Sequence, residues 1–242
     1  MKDRLKRSWA DTRLLFGSVP AVLVTLFTVS VVVMNILAGK TILQSELIAL
    51  DGGFLISWLS FLCMDVATKA FGPKAATKLS VFAMLVNLFV CALFAAVCAI
   101  PTPWEDFSAF NQTLGGTWFV LLSSCTAFFV SAVINNFLNW AIAGRFRKKP
   151  DGRLAYAVSS FVSTFIGQFA DNLVFAVMLF MVFAPAFWGF SWTFTQCVGC
   201  SLLGAALELV MEVVFSPLGY RILRAWERDG VGEAYRKRGT VQ

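Results

Sequence analysis

Histidine is absent from this chain of 242 residues. Its absence removes the usual proton shuttle, the commonest metal ligand and any Ser-His or Cys-His catalytic pair. Charge is also scarce: 14% of the residues are Asp, Glu, Lys or Arg, against about 25% in soluble proteins. There is no Gly-rich loop ending in Gly-Lys-Ser/Thr, so ATP hydrolysis by that route is excluded. The cysteines number six, Cys63, Cys91, Cys98, Cys125, Cys197 and Cys200. Most lie in apolar stretches, where Cys behaves as a small hydrophobe, and no disulfide framework is implied. Cys197-Val-Gly-Cys200 has the spacing of a redox pair or half a zinc site. With no His and no second pair, it reads as small-residue helix packing. No cofactor and no metal are expected.

What the chain has is apolar length. Hydrophobic residues make up 58% of it, Phe alone occurs 25 times, and the mean hydropathy is +0.75. Six long apolar stretches recur, at about 19–38, 54–71, 79–100, 117–143, 155–184 and 193–218. Lipid leaves no unpaired backbone unpunished, so such stretches are expected to be membrane-crossing helices. The fifth is long enough to tilt or kink.

Of the 20 Lys and Arg residues, all but Lys40 fall in four patches. These are Lys2 to Arg13, Lys69 to Lys78, Arg145 to Arg153 and Arg221 to Arg238. The patches alternate with the apolar stretches as cytoplasmic loops should. The fold class expected is therefore an all-α integral membrane protein with six transmembrane helices and both termini cytoplasmic. Residues 1–18 read as a basic amphipathic lead-in, 19–225 as one transmembrane domain and 226–242 as a basic tail. The net charge of +6 is then accounted for by loops facing anionic lipid rather than by nucleic acid. Asp51-Gly52-Gly53 and Pro101-Thr-Pro103 are external turn signals.

Function has to be sought in the polar groups inside the spans. A carboxylate deep in a transmembrane helix costs at least about 2.5 kcal/mol, so such groups face a partner or a cavity. Asp65, Asp171, Glu208 and Glu212 are of this kind, and no Lys or Arg lies at matching depth. Such a site suits a neutral or cationic solute with hydrogen-bond donors, and not an anion. Gln168, Asp171 and Asn172 are spaced i, i+3 and i+4, so they share one helix face. They are binding candidates, with an interhelical polar clamp as the structural alternative. Glu208 and Glu212 also share a face, serving proton coupling or a solvated mouth. Asp65 has Lys69 four residues on, the spacing of a structural ion pair. Asn35 lies near the external end of the first span, and Trp58 is placed to stack on an aromatic solute. The middle spans of the two halves each carry one Asp, which allows an inverted repeat.

Four motifs resemble the queuosine precursor transporter family, also called the VUT family. Asp51-Gly-Gly, an apolar run, Asp65 and then Phe71-Gly72-Pro-Lys-Ala-Ala is similar to the family's second-helix signature. Asn35-Ile-Leu-Ala-Gly-Lys40 resembles its first-helix ending. Ser160 through Gln168-Phe-Ala-Asp171-Asn172 resembles its fifth-helix motif, with Asn172 where Ser or Thr is usual. Glu212-Val-Val-Phe-Ser-Pro217-Leu-Gly-Tyr220 resembles its last-helix ending. The likeness covers about residues 19–225. It implies a fold similar to the vitamin-binding subunits of energy-coupling-factor importers. It also implies a bacterial inner-membrane location and uptake of 7-deazaguanine precursors of queuosine, a tRNA modification. The expected partners are that small molecule and the lipid bilayer, with a homodimer and an energising partner both left open.

Two other classes compete. One is a substrate-binding subunit driven by a partner ATPase; the other is an intramembrane enzyme built on Asp65 and Asp171. Neither Asp lies in the Gly-x-Gly-Asp setting of an intramembrane aspartyl protease, so no enzyme is expected.

Overall fold

A computed structural model describes residues 2–103, 106–146 and 153–235. The chain is helical nearly throughout. The order is α1 (Lys2–Ser18), α2 (Ala21–Leu37), β1 (Thr41–Gln44), β2 (Ala49–Asp51), α3 (Phe54–Phe71), α4 (Pro73–Cys98), α5 (Ser108–Gly115), α6 (Thr117–Phe146) and α7 (Arg153–Ala176). A π-helical segment (Val177–Phe183), α8 (Ala184–Phe187) and α9 (Phe194–Arg228) complete it. Five stretches are long and apolar enough to cross a bilayer: Phe54–Phe71, Pro73–Cys98, Ser108–Ser131, Phe165–Phe187 and Phe194–Phe215. A sixth is reached if α2 is counted with Trp9–Ser18, from which it is bent by 102°. The all-α membrane architecture expected from the apolar stretches is therefore present.

Departures from the expected elements have local causes. The third apolar helix starts at Pro73 rather than near Leu79, because Pro suits the first turn of a helix and Gly72 turns the chain with φ +87°. The last helix runs through Pro217 to Arg228 without a break, as neighbouring groups in membrane helices permit. The segment after α2, of which only the Asp51-Gly52-Gly53 turn was expected, is an antiparallel hairpin pairing Thr41 with Asp51, Leu43 with Leu50 and Gln44 with Ala49. The segment before α6 contains α5, whose Ser108 N–H donates to Asp106 Oδ1 at 2.9 Å. The fifth span does carry an irregularity, the π segment. There the Phe180 carbonyl accepts from the Trp192 N–H at 3.2 Å, and the Trp192 ring stacks on Phe180 at 3.6 Å.

The described residues group into two compact units. One is drawn from 1–34, 55–90 and 211–242. Its core joins Leu15, Leu23, Phe27, Val66, Phe71 and Leu79, with Ala67, Ala75, Ala76 and Ala83 letting helices approach closely. Trp226 and Tyr235 lean on Phe71 at 6.0 and 6.4 Å between ring centres. Gly232, at φ +74°, lies so close under Phe71 that a side chain there would collide with the ring.

The other unit is drawn from 35–54 and 91–210. Phe119, Leu179, Phe180, Ala184, Trp192 and Cys197 form its centre, all buried. The hairpin is fastened by two residues before and at the start of α9. Trp192 Nε1 donates to Thr41 Oγ1 at 3.2 Å, and Gln196 Nε2 donates to the Ser45 carbonyl at 2.6 Å. Gly199 passes so near the Leu47 carbonyl oxygen that only glycine fits. Cys197 and Cys200, either side of Gly199 in the sequence, are free thiols.

Candidate functional site

Three helices of the second unit bring polar side chains together. Helix α7 contributes Gln168, Asp171 and Asn172, and the 3.6-residue period sets them on one stripe. Ser131 of α6 donates its hydroxyl to Asp171 Oδ1 at 2.8 Å. Asn172 Nδ2 donates to Glu208 Oε1 of α9 at 3.2 Å. Glu208 is only 8% exposed. Gly204, one turn before it, faces Asn172, and a Cβ there would stand 2.9 Å from Asn172 Nδ2. The glycine is thus what lets the amide reach across to the carboxyl.

Asp171 and Glu208 lie within electrostatic reach of one another. Among the described residues no Lys or Arg forms an ion pair with either. Gln168 Oε1 is buried and, among the described residues, has no hydrogen-bond partner. Such an orphaned acceptor costs about 1–3 kcal/mol unless something fills it. The stripe therefore combines two carboxyls, one amide with an orphaned oxygen, a second amide and a hydroxyl, with no cation paired to it among the described residues. This arrangement can hold a neutral solute that presents several N–H groups. It offers nothing to an anion.

The hairpin adds an acid that the sequence reading treated only as part of a turn. Asp51 Oδ1 does accept the Gly53 N–H, at 2.8 Å, so the turn is real. The carboxyl is nonetheless drawn inward, and burial pushes its pKa up to about 6 against the lowering effect of these backbone bonds. Cys200 lies within electrostatic reach of both Asp51 and Glu208. Ser131 was also missed. Hydroxyls are frequent in these spans, mostly returning to their own helix carbonyl as Ser123 and Ser201 do, so spacing gave no reason to single it out.

The remaining candidates sit elsewhere. Asp65 and Trp58 belong to the first unit. Asp65 Oδ2 pairs with Lys69 Nζ at 2.7 Å, and Trp58 stacks on Phe215 at 4.6 Å with rings 15° apart. Both side chains thus have internal partners. Asn35 belongs to the second unit but donates to Cys91 Sγ at 3.3 Å and the Thr117 carbonyl at 3.2 Å. That is an interhelical clamp joining the ends of α2, α4 and α6. The side chain of Glu212 lies outside the described residues.

No curated protein and no solved structure matches the chain. A family model does. The model described as putative vitamin uptake transporter aligns with residues 51–222, from the end of the hairpin into the last turns of α9. That stretch is well over half of the chain and contains the whole polar stripe. With helices built to cross a bilayer and a polar cluster held inside them, the protein is a multi-pass membrane protein that belongs to the vitamin uptake transporter family.

Proposed function

We propose that this family member imports 7-deazaguanine precursors of queuosine across the bacterial cytoplasmic membrane, with both chain termini in the cytoplasm. The observation that carries the reading is the α7 stripe, where Gln168 Oε1, buried and without a hydrogen-bond partner among the described residues, stands one turn from Asp171. A deazaguanine is planar and carries adjacent N–H donors on its amino-pyrimidinone edge. A carboxylate accepts two such donors side by side, and a neighbouring amide oxygen accepts a third. That no Lys or Arg among the described residues pairs with the stripe's carboxyls fits a base without phosphate.

Uptake of labelled precursor by cells that cannot make it tests the assignment. Asp171→Ala should reduce uptake by at least about tenfold, since hydrogen bonds to a charged group are worth about 1.5–3 kcal/mol. Gln168→Ala should reduce it less. Unchanged uptake by Asp171→Ala overturns the assignment.

A second reading takes a vitamin-type solute from the family description and joins to it the partner ATPase that the resemblance to energy-coupling-factor subunits leaves open. Two measurements separate the readings. Thermal stabilisation of the purified chain by a panel of deazaguanines and vitamins identifies the solute, because a ligand that binds only the folded state raises its melting temperature. Uptake into liposomes holding this chain alone decides whether it needs an energising partner.

A further inference from the structure

Helix α1 does not continue into α2. Pro20 separates them, and the axis of Trp9–Ser18 is bent by 102° from that of Ala21–Leu37. If α2 stands across the bilayer, α1 lies close to its plane. One face of α1 is committed to the protein. Leu15 is fully buried in the first unit's core, and Asp11, one turn before it, forms an ion pair with Lys78 of α4; Phe16, two turns on from Trp9 along the other stripe, meets the Phe82 ring edge-on at 4.9 Å.

Before Phe16, the opposite face is exposed where its side chains are described. Trp9 is 74% exposed, and Arg13, one turn on, is exposed as well. Lys2 and Lys6 precede Trp9 at i−7 and i−3, positions on the same stripe as Trp9 and Arg13. The helix as a whole carries Lys2, Arg4, Lys6, Arg7 and Arg13 against Asp3 and Asp11, and Asp11 is already taken by Lys78. An indole left in the open at right angles to a spanning helix, with the exposed Arg13 one turn on, matches the headgroup layer. There the ring sits at the apolar boundary and the cations meet phosphates.

We propose that α1 is an in-plane surface anchor whose Trp9–Arg13 face binds anionic lipid headgroups of the leaflet on the N-terminal side. The buried face fixes the helix to the first unit, and the exposed face fixes that unit to the membrane surface. This assignment is independent of what the α7 stripe transports.

The test uses the full chain in nanodiscs of brominated lipid, and subtracts the fluorescence of Trp9→Phe from that of the wild type to isolate Trp9. The Trp9 signal should be strongly quenched in brominated phosphatidylglycerol. In discs of brominated phosphatidylcholine doped with a trace of the anionic lipid, mass spectrometry of the released protein should show the anionic lipid enriched by about tenfold or more. The triple variant Lys2→Gln, Lys6→Gln, Arg13→Gln should lose most of that enrichment while keeping the wild-type melting temperature, because all three changes are polar for polar. Glycerol phosphate in solution should not compete. Absence of Trp9 quenching by either lipid would mean that the face looks into water or toward a soluble partner, and would overturn the proposal. Equal retention of both lipids, or competition by the free phosphate, would overturn it too.

Discussion

Asp65 and Asp171 both lie within apolar helices, one in each compact unit, and their surroundings differ in kind. Asp65 meets the ammonium of Lys69 one turn further along its own helix, at 2.7 Å, with 30% and 49% of the two side chains exposed. Asp171 meets a hydroxyl from another helix and lies near a second carboxyl, with no ion-pair partner among the described residues. A charge that pairs locally at a helix end asks little of the rest of the fold. A carboxyl that depends on groups from other helices must be built for, as Ser131 is for Asp171 and as Asn172, with Gly204 making room, is for Glu208. The difference teaches where to look for function in such a chain. The informative acid is the one whose partners come from far away in sequence and stop short of neutralising it.

The sharpest way to break this comparison is to remove each acid in turn. Asp171→Ala should lower solute uptake by at least about tenfold, whereas Asp65→Ala should leave it within about twofold, the loss of one exposed pair. Uptake measured side by side in one strain, with surface expression matched, checks it. Equal losses for the two variants would erase the distinction between a paired and an unpaired acid.

A second contrast concerns glycine. Gly199 in the second unit abuts the Leu47 carbonyl, a backbone atom of the fastened hairpin, while Gly219 in the first unit has 3.6 Å to Val66 Cγ2 and 3.7 Å to Leu62 Cδ1. A methyl group at Gly219 finds ordinary contact; one at Gly199 must displace backbone. Gly199→Ala should therefore destabilise by roughly 2–3 kcal/mol, in the range of overpacked cores, and Gly219→Ala by less than about 0.5 kcal/mol. Melting temperatures of the two purified variants decide it. A mild Gly199→Ala would mean that the hairpin is held less firmly than the Trp192 and Gln196 bonds imply.

Much of this organisation could be read from the chain, and the parts that could not have a common cause. Bilayer thickness fixes how long a crossing helix must be, so the second span was legible to the residue, Phe54–Phe71. The i, i+3, i+4 stripe of α7 was legible because helical period is local. The hairpin was not, since its strands of four and three residues are too short to show an alternation. Helix α5 was not, being eight residues of mixed polarity. The partnership of Asn172 with Glu208 joins residues 36 apart, and the sequence offered Glu212 as the nearer companion of Glu208. Local periodicity places a side chain on a face; which helix that face meets is decided by packing that a single sequence does not display.

Asp51 supplies a comparison with the exposed loop acid Asp106. Asp106 lies at the surface, and its carboxyl is held below the usual range by the Ser108 N–H and hydroxyl. Asp51 has comparable backbone bonds, yet burial wins and raises it from 3.8 to about 6. Between those two values the folded protein holds a proton that the unfolded chain has released, so stability falls as pH rises through that window and is level above it. The cost of keeping Asp51 ionised above pH 6 is on the order of 3 kcal/mol. Asp51→Asn keeps the acceptor for Gly53 and removes that cost. It should melt higher than wild type at pH 8, with the gain shrinking below pH 6 and gone by about pH 4. A gain of the same size at both ends of the range would place the effect in packing rather than in titration.

The smallest effect expected is at the pair that anchors the other side of the comparison. Exposed i, i+4 pairs are worth about 0.3–0.5 kcal/mol, because water screens the attraction and two side chains lose freedom to make it. A double-mutant cycle of Asp65→Asn and Lys69→Gln, read as melting temperature, should therefore give a coupling below about 0.5 kcal/mol that fades in high salt. Uptake should stay near wild type in all three variants. A coupling several times larger, insensitive to salt, would mean that Asp65 is shielded from water within the assembled transporter. Asp65 would then be a second membrane-embedded acid with a role in transport, and the separation of the two units into a structural acid and a functional one would no longer stand.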